Sequence, residues 1–395
     1  MRLRRQSGST LPSGADCFTA PGGPPSREIE SDSASLLRRS YRLKTNRSFV
    51  IVALGNANHR GRLSLLACDS GKPFASRVHE HLTEIVKVVD GETVSVARSS
   101  EEITFANGEF KTVIDENIRG DDVYIIQCLD DPLSDRSVND NYMALLTALH
   151  AAHHSDADSI TAVIPQFPYS RQERKKARES ITARLVAAQL EDAGAQRVIT
   201  LDIHAEAIEG FFERALMEDL HASKEIISFF RQNAKTDNLC VVAPDTGGAN
   251  MARYYSNQFG SAFAVVDKAR DYSKTSVVES MRLVGDVKGK TVIMPDDLVA
   301  TGGTLMNACR LLKDNGAERI YLACSLPFFN GPAVERLDQG FEQGLFEMVV
   351  GTDAVWHGPA FCEQHAWYRE VSVARLFAQV IFNINRRRSV SELLR

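Results

Sequence analysis

Two adjacent acidic residues, Asp296 and Asp297, stand shortly before a turn rich in glycine and threonine. Glycines let backbone N–H groups approach a phosphate closely, threonine hydroxyls add donors, and a following helix contributes partial positive charge. Adjacent carboxylates would repel a phosphate, so sugar hydroxyls or a metal ion suit them better. The run therefore predicts a ribose 5-phosphate site. The alternative is an ordinary strand, turn and helix in which the polar residues only cap the helix. The candidate residues are Asp296, Asp297, Ala300, Thr301, Gly302, Gly303 and Thr304.

A second candidate site is a loop crowded with cations, which follows a predicted strand at 159–165. Its basic residues are Arg171, Arg174, Lys175, Lys176 and Arg178. Arginines at this density can clamp a polyphosphate, because each guanidinium donates paired hydrogen bonds to phosphate oxygens. Phe167 and Tyr169 beside them can pack against an adenine or belong to the core. A solvated run of surface charge is the alternative for the basic residues.

Two pairs of polar residues also accompany predicted strands. In an extended chain Asp202 and His204 share one face, where they can hold a hydrated Mg²⁺ directly or through water. Hydrogen bonding at a strand end is the alternative. Lys268 and Arg270 fall on one side of an extended segment, and a surface basic pair is the alternative there. The loop that follows, through Lys274, is predicted to close over the site and exclude water.

These residues need a framework, and short β-branched runs alternate with amphipathic stretches from Phe49 onward. The predicted strands are 159–165, 197–202, 239–243, 263–266, 291–294 and 319–325. Predicted helices at 181–192 and 304–314 end before Gly194 and Gly316, which suit a left-handed helix cap. The alternation predicts an α/β fold of mostly parallel sheets flanked by helices. In such folds the chemistry lies at the carboxyl ends of the strands, where the candidate residues fall.

The whole chain has an ordinary globular composition and enough length for two domains, with 395 residues, 44% hydrophobic and 25% charged. A net charge of -5 disfavours a dedicated nucleic-acid binder. The seven cysteines are scattered without a Cys-x-x-Cys pair, which favours a reducing compartment. No apolar run reaches the roughly 18 residues that span a bilayer. We therefore expect a cytoplasmic protein that binds neither nucleic acid nor a membrane.

Residues 1–48 form a predicted disordered extension, rich in Ser, Arg, Gly and Pro. With little apolar periodicity, the segment cannot bury enough surface to offset its ordering entropy. Its Arg-rich opening leaves organellar targeting as a minor alternative, which Glu28, Glu30 and Asp32 weaken.

Residues 291–304 resemble the phosphoribosyl diphosphate motif shared by type I phosphoribosyltransferases and the diphosphokinases that make their substrate. That motif by itself does not choose between the two classes. Further segments resemble the ribose-phosphate diphosphokinases, and the resemblance covers nearly everything after Phe49. The most specific of these segments are Phe105-Ala-Asn-Gly-Glu109, Phe167-Pro-Tyr-Ser-Arg-Gln172 and the run from Arg197 to Phe212.

The resemblance implies an enzyme that transfers the diphosphate of MgATP to the C1 hydroxyl of ribose 5-phosphate, giving phosphoribosyl diphosphate and AMP. The implied ATP residues are Phe105, which lies against the base, Asn107, Gly108, Glu109, Arg171 and Gln172. The implied catalytic pair is Lys268 and Arg270, and Arg270 also contacts ribose 5-phosphate. The implied Mg²⁺ residues are Asp202, His204 and Asp245, of which Asp245 is either a second-site Mg²⁺ ligand or a ribose contact. A plain turn aspartate is the alternative for Asp245.

The resemblance further implies two similar type I phosphoribosyltransferase-like domains, at 49–222 with the nucleotide loops and at 223–380 with the ribose 5-phosphate loop. The tail at 381–395 is expected to pack back on the first domain. The implied assembly is a homo-oligomer of dimers, with a hexamer as one form. Ala300 stands where the diphosphokinases usually carry an aspartate, which leaves open a catalytically weak regulatory paralogue. A phosphoribosyltransferase is a third alternative, although it would need only one such domain and no ATP segments.

Overall fold

Apolar runs of the sequence form two mostly parallel sheets with helices packed on them. The computed structural model describes residues 59–91, 96–270, 279–391 and 393, without the side chains of 268–270, 279 and 280. The predicted extension at 1–48 lies outside these residues. The strands are β1 Leu63–Ala67, β2 Ser100–Thr104, β3 Phe110–Ile114, β4 Asp122–Ile126, β5 Ser159–Val163, β6 Arg197–Leu201, β7 Leu216–Leu220, β8 Leu239–Ala243, β9 Ala262–Arg270, β10 Glu279–Val284, β11 Thr291–Leu298, β12 Arg319–Leu326, β13 Met348–Thr352 and β14 Tyr368–Val371. The helices are α1 Lys72–Asp90, α2 Val138–His154, α3 Thr182–Asp192, α4 Ser223–Asn233, α5 Ala249–Phe259, α6 Gly303–Asp314, α7 Ala333–Glu342, α8 Phe361–Gln364 and α9 Ala374–Asn385.

The first lobe, residues 59–222, is built on a parallel sheet in the order β1-β4-β5-β6-β7. Its strand β4 is buried along its whole length, because elements pack on both faces of the sheet. Strands β2 and β3 form a separate antiparallel hairpin. The carboxyl ends of β5 and β6 lead into the basic loop and the Asp202 segment, so this sheet positions both.

The second lobe, residues 239–371, is built on a sheet in the order β10-β9-β8-β11-β12-β13-β14. β9 and β10 pair antiparallel, and the other neighbours pair parallel. The central strand β11 runs to Leu298, beyond the predicted end at Met294, because it continues to pair with β12 after its pairing with β8 has ended at Ile293. The acid pair therefore lies in the last residues of a central strand.

The two predicted helices agree closely with the structure, whereas the strand predicted at 263–266 is longer and forms β9, Ala262–Arg270. α3 and α6 each match a predicted helix to within one residue at the N-terminus. Gly194 and Gly316 follow them with φ of 112° and 86°, as the predicted caps require. None of the helices formed by the described residues combines the length and apolar composition needed to span a bilayer.

A shared apolar core lies between the two sheets and includes side chains of α1, α4, α5 and α9. The rings of Phe74 in α1 and Phe377 in α9 meet edge to face with centroids 5.2 Å apart. At the end of α9, the side-chain amide of Asn385 donates to Asp122 of β4 at 2.9 Å. The chain after the second sheet thus contacts the first lobe. The predicted domain boundaries themselves stay a prediction.

Candidate active site

The glycine-bearing turn follows β11, in the middle of the second sheet. The chain passes through Ala300 and Thr301, and α6 begins at Gly303. Gly302 has a φ of 70°, a left-handed conformation that glycine adopts without strain. Thr301 and Thr304 are exposed. Because the first N–H groups of a helix have no partner inside the helix, this turn offers donors to an anion.

His204 reaches from the first lobe to the acid pair of the second lobe. Its Nδ1 lies 2.6 Å from Oδ2 of Asp297. The hydrogen bond to Asp297 raises the pKa of His204 above its ordinary value, although burial opposes the rise. The charge of Glu173 also raises this pKa and that of Arg171 lowers it. The basic loop, His204 and the acid pair therefore lie within electrostatic range of one another.

Three carboxylates concentrate negative charge at the same place. Burial raises the pKa of Asp296 well above its ordinary value, and the charges of Asp297 and Asp245 raise it further. The backbone N–H of Asp297 donates to Oδ1 of Asp296 at 3.1 Å. Gly248 likewise donates its N–H to Oδ1 of Asp245 at 3.1 Å. A cluster of this kind suits a dication or the hydroxyls of a sugar.

The prediction that Asp202 and His204 share one face of an extended chain is wrong. β6 ends before Asp202, which has a φ of 41° in the left-handed region. The buried carboxylate of Asp202 is bonded to Nδ1 of His221 at 2.9 Å and accepts from the N–H of Ala222 at 3.0 Å. It also accepts from the hydroxyl of Ser325 in β12. Asp202 thus joins the two lobes, and its assignment as a Mg²⁺ ligand stays a prediction.

The β2–β3 hairpin carries the first group of predicted ATP residues at its tip. Phe105 is 48% exposed, so one large apolar side chain faces solvent there. Its N–H donates to the carbonyl of Glu109 at 2.8 Å, and Gly108 donates to the carbonyl of Phe105 at 2.8 Å. The side chain of Asn107 accepts from the N–H of Glu109 at 3.2 Å. Within the described ranges, no hydrogen bond or ion pair joins this tip to the second lobe.

Arg136 fixes the base of the hairpin to the first lobe. Its guanidinium donates to Oε2 of Glu102 at 2.6 Å and to the hydroxyl of Thr104 at 3.3 Å. The same group contacts Oδ2 of Asp69 at 3.4 Å and lies 5.0 Å from the ring centroid of Phe110. Arg136 therefore holds the base of the hairpin through contacts with four residues. The tip projects beyond this base.

The second group of predicted ATP residues, Arg171 and Gln172, is exposed in the loop after β5. The N–H of Gln172 donates to the carbonyl of Tyr169 at 2.9 Å, and Tyr169 has a φ of 57°. Phe167 is buried and packs edge to face on Phe212, with ring centroids 6.2 Å apart. Of the two roles left open for Phe167, the structure supports the core.

Both lobes match known protein domains. Residues 63–194 match the N-terminal domain of ribose phosphate pyrophosphokinase, and residues 216–359 match the phosphoribosyl transferase domain. A ribose-phosphate pyrophosphokinase of Chlorobaculum tepidum is 38% identical over 323 residues, which cover 82% of this chain and 94% of the relative. The chain belongs to the ribose-phosphate pyrophosphokinase family.

Other members of this family are similar over the same span. A ribose-phosphate pyrophosphokinase of Caldanaerobacter subterraneus is 38% identical, covering 85% of this chain and 99% of the relative. The crystal structure of phosphoribosylpyrophosphate synthetase from Mycobacterium smegmatis superimposes with a TM-score of 0.70 at 30% identity, covering 82% of this chain and 98% of that chain. The predicted fold of two phosphoribosyltransferase-type domains is confirmed by these matches.

The two residues that the family resemblance assigns to catalysis fall at the limit of the described chain. The backbones of Lys268 and Arg270 belong to β9, opposite Met281 and Glu279 of β10. Their side chains lie outside the described residues, as does the loop through Lys274 that is predicted to close over the site. Their catalytic role in this family member stays a prediction.

Sequence reasoning missed several residues that hold the candidate site together. Arg336 of α7 donates from Nη1 to the carbonyl oxygen of Thr301 at 2.8 Å. The hydrogen bond to Asp202 raises the pKa of His221 to about 9. These residues, like Arg136 and Ser325, belong to no recognised motif and act on residues distant in the chain. A single sequence holds no signal for such contacts.

Proposed function

We propose that this member of the family transfers the diphosphate of ATP to the C1 hydroxyl of ribose 5-phosphate, at the place where His204 meets the acid pair. The hydrogen bond between His204 and Asp297 carries the proposal, because it brings the ends of two sheets together. The sugar phosphate belongs to the second sheet and the nucleotide to the first. The products are phosphoribosyl diphosphate and AMP.

Ribose 5-phosphate is proposed to bind along the end of β11 and the turn into α6. Its phosphate would accept N–H and hydroxyl hydrogen bonds from Thr301, Gly302, Gly303 and Thr304. Its hydroxyls would donate to the carboxylates of Asp296 and Asp297. Ala300 offers only backbone groups to the sugar, which leaves the acid pair as the main polar contact.

ATP is proposed to bind through Arg171 and Gln172 of the basic loop and through the hairpin tip. The guanidinium of Arg171 would pair with phosphate oxygens. The exposed ring of Phe105 would stack on the adenine, and the remaining proposed contacts are Asn107, Gly108 and Glu109. Because no hydrogen bond or ion pair among the described residues ties the tip to the second lobe, ATP would not have to replace such a bond there.

The proposed reaction is an in-line displacement at the β-phosphorus of ATP. The C1 oxygen of the sugar forms a bond to this phosphorus, the bond from the phosphorus to the oxygen of the α-phosphate breaks, AMP leaves and the hydroxyl proton is released. Negative charge builds on the transferred group and on the leaving oxygen. We assign its stabilisation to Lys268 and Arg270, because fixed cations in a closed site act most strongly on such charge.

The carboxylate cluster fits Mg²⁺, which we propose as cofactor. Burial and the charges of Asp297 and Asp245 raise the pKa of Asp296, and a dication would relieve the repulsion among these carboxylates. His204, Asp297 and Asp245 would supply ligands, whereas Asp202 would have to exchange one of its present hydrogen bonds for the ion. When bound, Mg²⁺ neutralises charge on the phosphates of ATP. Within the described residues these side chains do not already stand together as a group of three or more metal ligands, so Mg²⁺ would take its remaining ligands from ATP and water.

The partners and location proposed for the chain follow from the same family membership. We propose a homo-oligomer built from dimers, with a hexamer as one assembly, acting in the cytoplasm on ATP and ribose 5-phosphate. We propose no nucleic-acid or membrane partner. The proposed domain division remains 49–222 and 223–380, with 381–395 packing on the first domain.

AMP release from ATP, Mg²⁺ and ribose 5-phosphate tests the proposed function. We expect release to require the sugar phosphate and to fall on the order of 100- to 1000-fold in Lys268→Ala, because a fixed cation is lost from the transition state. The exposed Lys224→Ala of α4 is the matched control and should keep wild-type turnover.

The wild-type protein must release AMP for the proposal to stand. No AMP at any phosphate concentration would favour a regulatory paralogue. Consumption of phosphoribosyl diphosphate with a base, but no AMP from ATP, would favour a phosphoribosyltransferase. A normal rate in Lys268→Ala, at unchanged thermal stability, would remove the assigned role of Lys268.

A further inference from the structure

The first turn of α7 lies against the turn proposed to bind phosphate. The N–H of Phe329 donates to the carbonyl of Val299 at 3.0 Å, which aligns the segment before α7 with the segment before α6. A Cβ added at Gly302 would come within 4.0 Å of the carbonyl oxygen of Ala333. The start of α7 therefore lies directly beside the start of α6.

Arg336 lies one turn into α7, and its side chain extends to the turn before α6. Its Nη1 donates to the carbonyl oxygen of Thr301 at 2.8 Å. A Cβ added at Gly303 would lie 3.6 Å from the same nitrogen. The guanidinium thus lies beside Thr301 and beside Gly303, the first residue of α6.

The remaining donors of Arg336 have no acidic partner within the part of the chain that the structure describes. An arginine carries five N–H donors in a rigid fork, and here one of them is used by a carbonyl. The side chain is exposed, so the other donors are accessible from solvent. A sugar phosphate dianion placed at the turn would therefore lie within reach of this cation.

We propose that Arg336 binds the phosphate of ribose 5-phosphate and, through its hydrogen bond to Thr301, holds the turn in shape for it. The inference rests on the proposed function and adds to it a cationic residue from a separate helix. Binding by backbone N–H groups alone leaves a dianion only partly neutralised, whereas a guanidinium supplies a full charge and directed donors. The residue thereby favours phosphorylated over unphosphorylated sugars.

Three substitutions separate the charge of Arg336 from its hydrogen bond. Arg336→Ala removes both, and we expect the KM for ribose 5-phosphate to rise about 10- to 100-fold, the loss of one charged hydrogen bond. Arg336→Gln can still donate to Thr301 but carries no charge, so it should recover only a minor part of the affinity that Arg336→Ala loses. Arg336→Lys keeps the charge and should recover most of the affinity. The KM for ATP and kcat at saturating sugar phosphate should change little in all three.

Arg310→Ala is the matched control, because Arg310 is an exposed arginine of α6 whose guanidinium donates to Asn307 of its own helix. It should keep the wild-type KM for both substrates. Full recovery in Arg336→Gln would mean that the hydrogen bond to Thr301 suffices, and would overturn the phosphate contact. An unchanged KM for ribose 5-phosphate in Arg336→Ala would overturn the whole inference.

Calorimetry with ribose 5-phosphate keeps this test separate from the proposed activity. Equilibrium binding to wild type and to each variant needs no turnover, so it reports on Arg336 even if no AMP is released. Weaker binding in Arg336→Ala and Arg336→Gln, but not in Arg336→Lys, is the supporting result. Equal binding in wild type and Arg336→Ala would contradict it, and thermal melting identifies any variant that fails to fold.

Discussion

Asp202 is predicted as a metal ligand, and its hydrogen bonds show that it also connects the two lobes. The carboxylate is buried and takes donors from the first lobe and from Ser325 of the second. A sequence can indicate that an acid follows a strand, because the strand is an apolar run. It does not indicate which distant hydroxyl will meet that acid, since Asp202 and Ser325 lie 123 residues apart.

Loss of the Ser325 hydroxyl tests this bond between lobes. Ser325→Ala removes one donor from a buried carboxylate, so we expect the free energy of unfolding to fall by about 1–3 kcal/mol. Urea unfolding measures it. Ser228→Ala, on the exposed face of α4, is the control and should stay within about 0.5 kcal/mol of wild type. Equal stability of both variants would show that Asp202 does not depend on Ser325.

At the scale of elements, the sequence predicts the existence of strands and helices well and some ends less well. The predicted end of β11 at Met294 was wrong because Pro295, Asp296 and Asp297 interrupt the apolar run. A proline lacks the N–H that a central strand donates, so it normally marks an edge or an end. Here the pairing with β8 stops at Ile293, and β11 continues on its β12 side alone.

The β2–β3 hairpin is the element whose position we expect to govern ATP affinity. Arg136→Ala breaks an ion pair with Glu102, whose side chain is only 4% exposed. We expect the KM for ATP to rise about 10-fold, equivalent to roughly 1.4 kcal/mol, with the KM for ribose 5-phosphate unchanged. Steady-state kinetics with each substrate varied in turn measure the two KM values separately.

Arg119→Ala is the control for this hairpin prediction. Arg119 forms an exposed ion pair with Asp156 in the same lobe, so its loss should leave both KM values unchanged. A wild-type KM for ATP in Arg136→Ala would mean that the hairpin keeps its place without the arginine. The same result would follow if the tip does not contact ATP.

At the scale of the molecule, the two sheets share a core and meet at their polar ends. The shared core explains why the tail after the second sheet contacts the first lobe, since α9 packs against α1. The family resemblance predicted the pair of similar domains, and the relatives confirm it. The meeting of His204 with Asp297 depends on how two sheets dock, and a local pattern of residues does not contain that information.

The proposed function is the transfer of two phosphates of ATP together to ribose 5-phosphate. The most direct measurement is the fate of phosphorus in ATP labelled at the β position, incubated with Mg²⁺, ribose 5-phosphate and the full chain. We predict that the label moves to the sugar and that unlabelled AMP appears in equal amount. Label retained in ADP, with a single phosphate transferred or released, would contradict diphosphate transfer.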